Sequence, residues 1–282
     1  MHQGSLRGAF FNAEAETMNT EQGTPIDEQE ALHRLRQTDD PANRYYAAWW
    51  LGHERSQHPE TIPLLRSALR DYLNAKGDAN AESRALALNV LRALVHLDGQ
   101  QAGPEILESL LHSDLNIREE AARTAGSTGL KAAIPLILAS LQGNETKQDR
   151  LLEAQLEALG DLGVSSGEIL ERLKNFIDDQ RPLIRSATSR ALLQLTEQAI
   201  YGDSFAGLLE HASTQIRRGV LLDIGACGWI PALDLIRRSP VESSIKLIAL
   251  RGLAEHPRGL QHAEMSHEQA LETVLSAMDS LL

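Results

Sequence analysis

SDLNIREEAARTAG, residues 113–126, reads as one half of a repeated unit. Asp114 stands where it can cap a helix by accepting the first, otherwise unpaired N–H groups. Behind Arg118, the residues Ala121, Ala122 and Ala125 fall on one helical side and allow close packing. Gly126 and Gly129 fit a helix C-terminus, where glycine takes the left-handed backbone most cheaply. The same order of turn Asp or Pro, arginine, small residues and often Leu-Gly recurs at residues 39–52, 179–193 and 212–225. Weaker copies occupy residues 80–94, 149–160 and 239–252. Aligned, they bring Arg44, Arg84, Arg118, Leu152, Arg185, Arg217 and Ser244 to one position, at spacings of 40, 34, 34, 33, 32 and 27. Such a period marks stacked supersecondary units.

An apolar helix precedes each copy, roughly at residues 59–75, 104–111, 132–142, 166–177, 203–211 and 230–237. Pro104, Pro135 and Pro231 lie near the starts of these helices, where a missing N–H costs little. The pattern is HEAT-like and lacks the tetratricopeptide and ankyrin signatures. The expected fold is all-α, an α-solenoid of about six to seven helix pairs in one domain over residues 26–282. Residues 266–282 read as a last amphipathic helix, a cap or docking element. Residues 75–80 and 142–149 read as lengthened turns. Residues 1–25 read as a disordered or mis-assigned extension, since Met18 offers a second start.

Composition narrows the function. The chain has 282 residues and a formal charge of −12, which argues against nucleic acid. Aromatics make up only 4%, which argues against a β-rich fold. A single cysteine excludes an internal disulfide framework and a Cys-rich zinc site. No apolar run approaches the roughly 20 residues of a transmembrane helix, and the N-terminus lacks a signal-peptide core. The expectation is a cytoplasmic protein with no membrane insertion.

One copy departs from its sisters. Arg44-Tyr45-Tyr46-Ala47-Ala48-Trp49-Trp50-Leu51-Gly52 holds four of the eleven aromatics. At about 100° per residue, Tyr45, Trp49, Tyr46 and Trp50 fall at about 0°, 40°, 100° and 140°. Ala47, Leu51 and Ala48 fall at about 200°, 240° and 300°, the side the repeat uses for its core. Two readings fit. The rings are ordinary packing of an end repeat, covered by residues 26–38 or a partner, or they form a wall for a flat conjugated ligand or an apolar partner.

RYYAAWWLG after a DP-type turn, heading a HEAT-like array, resembles the E-type subunit of the E/F class of phycobilin lyases. The resemblance runs from about residue 26 to the C-terminus. The pattern is most similar to that of the phycocyanobilin lyases acting on phycocyanin α, and the phycoerythrocyanin and phycoerythrin relatives share it. The resemblance implies a heterodimer with a homologous F-type subunit. It also implies attachment of a linear tetrapyrrole, typically phycocyanobilin, to a cysteine of a phycobiliprotein alpha subunit. Phycocyanobilin enters as substrate, and no cofactor is implied. The attacking thiol belongs to the acceptor, so the lyase needs no nucleophile and works by positioning. On this reading Tyr45, Tyr46, Trp49 and Trp50 meet the conjugated surface. Arg44, with Arg84 or Arg118 along the ladder, meets the propionates. For Arg118, Arg185 and Arg217 the favoured reading is a structural bridge to a turn Asp.

Competing constellations are weaker. His53-Glu54 and His267-Glu268 are the only His-Glu pairs and are not repeat-equivalent, unlike the iron-binding pairs of HEAT-repeat deoxyhypusine hydroxylase, so no metal site is expected. His53 reads as a helix-end residue near the C-terminal dipole. Cys227 has no activating neighbour and reads as buried packing. No phosphate loop or nucleophile elbow occurs, and no pair among the 39 carboxylates is singled out as acid and base. The other function class is a non-catalytic adaptor in phycobilisome assembly or turnover.

Overall fold

The computed structural model describes residues 26–75, 80–142, 147–256 and 266–282. Every regular element among them is helical. The helices run in pairs: α1 (Glu28–Arg36) with α2 (Pro41–His53), α3 (Thr61–Leu73) with α4 (Ala81–Val95), and α5 (Gly103–Leu110) with α6 (Leu115–Thr128). The next pair is α7 (Ile134–Ser140) and α8 (Asp149–Asp161). Then come α9 (Gly167–Lys174) with α10 (Pro182–Thr196), and α11 (Ala199–Asp203) and α12 (Phe205–Leu209) with α13 (Thr214–Cys227). The last pair is α14 (Leu233–Arg238) with α15 (Ser243–Glu255), followed by α16 (His267–Asp279).

The described residues divide into two compact units along the chain, one ending at Ala158 and the other beginning at Leu159, both within the range of α8. In the first, α1 packs on α2, and α2 on α4, which packs in turn on α6. In the second, α10 packs on α13, α13 on α15, and α15 on α16. Within each unit the second helices therefore stack on one another, the local architecture of an α-solenoid.

Sequence explains that stacking. Ala121, Ala122 and Ala125 are all fully buried. The Gly of the Leu-Gly step serves close approach. A Cβ added to Gly52 would lie 2.6 Å from Ala93 Cα on the next second helix. In the second unit, Gly160 meets Ala191 and Gly225 meets Ala249 in the same manner.

Three expectations need correction. Gly126 is buried inside α6 and does not close it, a role taken by Gly129 at φ 69°. The first helices are shorter than the apolar runs suggested, because short 3-10 turns, Lys131–Ala133 and Ile230–Ala232, precede α7 and α14. One expected helix, 203–211, is reduced to α12 (Phe205–Leu209), with the separate short α11 (Ala199–Asp203) just before it. The C-terminal helix has a capping box of Ser266 and Gln269. The segment read as a disordered extension, 1–25, lies outside the described residues, as do 76–79 and 143–146 within the two lengthened turns.

Candidate functional site: the aromatic face of α2

The DP turn starts α2. The Asp40 carboxylate accepts the Asn43 N–H at 2.9 Å, and Pro41 fills the first turn. Ala47, Ala48, Leu51 and Gly52 are buried. The opposite side carries the rings, with Tyr45 37% exposed and Tyr46, Trp49 and Trp50 half-buried.

The rings are ordered among themselves. Tyr46 stacks on Trp49 with centroids 5.4 Å apart, and Trp49 stacks on His53 at 4.9 Å. Tyr46 lies three residues before Trp49 and His53 four after it, so the two rings sandwich the indole along the helix. Tyr45 and Trp50 flank this row and have no ring contact among the described residues. The Trp49 indole N–H is buried without a hydrogen-bond partner among the described residues.

The neighbouring helices hold this face in place. Asn89 of α4 donates to the Tyr45 carbonyl at 2.9 Å, and Gly52 lets α4 approach along the same flank. At the end of the row, the His53 imidazole is hydrogen-bonded to Glu54 at 3.0 Å.

Arg44 is not brought to the rings. It is 5% exposed and points beneath them. Its Nε donates to the Leu35 carbonyl at the end of α1 (3.1 Å), and another nitrogen meets Asp71 of α3 at 3.1 Å. The other ladder arginines share this bracing role with varied partners. Arg118 donates to the Leu110 carbonyl at 3.0 Å and the Ser140 hydroxyl at 3.3 Å. Arg217 donates to the His211, Ala212 and Pro240 carbonyls. For Arg217 the expected bridge to a turn Asp is replaced by backbone carbonyls near helix ends, which also need donors. Arg84 does pair with a turn Asp, Asp114, and holds its carboxyl at about 2. Arg181, with the charge of Arg185 behind it, keeps Asp179 below the usual carboxylate range.

The chain's other special groups are structural. Burial pushes the Cys227 thiol up to about 12, far from a thiolate at neutral pH. Trp229 is buried and lies where any side chain on Gly202 would stand. Among the described residues no group of three or more His, Cys, Asp or Glu could hold a metal ion, and no helix is long and apolar enough to cross a membrane. Sequence reading ranks a bilin contact of His53 second, because a histidine at a helix end reads first as a partner of the dipole. Its spacing of four from Trp49 was the available signal.

Comparison with known proteins adds an independent line. No family model matches the chain. The chain is 41% identical over 268 residues to the bilin biosynthesis protein RpcE of Synechococcus sp. (strain WH8020), covering 92% of this chain and 96% of that protein. It is 36% identical over 264 residues to the phycocyanobilin lyase subunit alpha of Picosynechococcus sp. (strain ATCC 27264 / PCC 7002 / PR-6), covering 90% and 96%. A solved complex of CpcE and CpcF of phycocyanin lyase from Nostoc sp. PCC7120 contains a similar chain, with TM-score 0.76, 31% identity and coverage of 93% and 97%.

Proposed function

The chain belongs to the family of phycocyanobilin lyase alpha subunits, and from that premise we propose that, paired with an F-type subunit, it attaches phycocyanobilin to a cysteine of a phycobiliprotein alpha subunit. The thiol adds across the exocyclic double bond of ring A. A carbon–sulfur bond forms, the thiol proton ends on the ring carbon, and no oxidant or reductant is consumed. The observation that carries this reading is the aromatic face of α2, an ordered row on a helix whose other side already supplies the core.

A tetrapyrrole is a flat apolar conjugate with two carboxylates. Tyr46 and His53 occupy the faces of Trp49, so the bilin meets the outer edge of the row, with Tyr45 and Trp50 on either side. Arg44 then acts from beneath as a positioning residue, tying the start of α2 to α1 and α3. The work of the site is to hold ring A in one orientation toward the incoming thiol, which is catalysis by proximity. Cys227 cannot serve as a relay nucleophile while its thiol is held protonated in the core. The reaction consumes a free acceptor thiol, which persists in the reducing cytoplasm, and the chain acts there.

The test is co-expression of this chain with bilin-forming enzymes, the F-type subunit and a phycocyanin alpha acceptor. Colour that survives denaturation and is lost from an acceptor lacking its cysteine is the expected result. An acceptor that binds the chain but stays colourless would favour the adaptor reading.

A further inference from the structure

We propose that Arg55, His53 and His96 form an anion site at the C-terminal end of the aromatic row, and that it takes a carboxylate of the tetrapyrrole. This rests on the reading of the α2 face as the bilin surface. It supplies the cationic partner that Arg44, buried and engaged elsewhere, does not.

The geometry converges from two helices. Gly52 of α2 lies against Ala93 of α4, one and two residues before the ends of their helices. His53 follows Gly52 directly and Arg55 lies three residues beyond it, while His96 lies three residues beyond Ala93 as the C-cap of α4. His53 is also the last ring of the stacked row. Partial desolvation of the ring and the positive charges of Arg55 and His53 hold the His96 imidazole below its usual pKa. The Glu54 carboxylate is hydrogen-bonded to His53.

Arg55 is also an unusual choice for its backbone. Its N–H bonds the Gly52 carbonyl at 3.2 Å, and the Ser56 N–H bonds the Leu51 carbonyl at 3.0 Å, so it closes α2 in a Schellman motif. Its φ is 53°, in the left-handed region. The left-handed closures of α6 and α13 use Gly129 and Gly228, both at φ 69°, whereas α10 closes on Glu197 at φ 58°. Arginine here forgoes the residue that adopts this conformation cheaply. Its guanidinium is exposed, and no hydrogen bond or ion pair holds it among the described residues.

The experiment compares phycocyanobilin with its dimethyl ester, titrated by absorbance into the heterodimer of this chain and the F-type subunit. The wild-type complex should favour the free acid by roughly tenfold or more, the scale of a charge-assisted hydrogen bond. In Arg55→Gly combined with His96→Gln the preference should fall to near unity with affinity for the ester unchanged, and Arg55→Lys should keep most of it. Because glycine relieves the left-handed strain, Arg55→Gly should melt no lower than wild type, so a lost preference does not report a lost fold. A preference that survives in the double variant, or no preference in the wild type, overturns the anion site alone. Failure of the wild-type complex to bind either form overturns the lyase reading and the anion site with it.

Discussion

Asp114 carries two roles at one turn. Its carboxylate caps α6 by accepting the Asn116 N–H at 2.8 Å, and it pairs with Arg84 of α4. The hydrogen bond from Arg84 lowers its pKa from 3.8 to about 2. A lowered carboxylate pKa stabilises the fold above the unfolded value and loses that contribution as pH falls through the folded value. Asp114→Asn keeps a capping acceptor but removes the charge. The variant should therefore be less stable than wild type at pH 7 in urea unfolding, with the gap narrowing as pH falls from about 4 toward 2. A gap that stays constant over that range would contradict the role of the pair. Arg44 shows where residue-level reading stops. Its place beside Tyr45 suggested a ligand contact, but a long side chain reaches a core carbonyl as readily as solvent, and nothing in the sequence marks the open Leu35 carbonyl.

At the scale of the element, α2 was legible and its supports were less so. The 3.6-residue period separated Ala47, Ala48 and Leu51 from the rings, and the structure buries the first set. The small-residue sides of the second helices were legible for the same reason. Glycine was harder, because one residue type serves both helix closure and close packing. By its sequence Gly126 reads as a cap, yet its place is in the buried interior of α6. Gly52 shows the packing use clearly. Gly52→Ala would set a Cβ against Ala93 and should cost about 1–3 kcal/mol by overpacking. Gly207→Ala, within α12 and facing open space, should instead be neutral or stabilise by up to about 1 kcal/mol. Equal effects of these two substitutions in denaturant unfolding would contradict the close approach of α2 and α4.

At the scale of the molecule, the second helices of the repeat differ in what stands opposite their small residues. Most sister helices spend that side on ion pairs, such as Arg92 with Glu120 and Arg123 with Glu119. Among the described residues α2 alone fills it with rings, so the site is a local addition to a fold that does not require it. That is why the fold was readable from periodicity while the site was readable only as a departure from it. The placing of the His53 ring, and of Arg55 and His96 beyond it, depends on how two helices meet and is invisible to a single-helix projection. The measurement that tests the function most directly is bilin transfer to a phycocyanin alpha acceptor by Trp49→Ala/Trp50→Ala, co-expressed with the F-type subunit and bilin-forming enzymes. The expected result is an acceptor left without covalent colour while circular dichroism shows the helix content of the variant unchanged. Wild-type levels of covalent colour from that variant would contradict the assignment of the α2 face as the bilin surface.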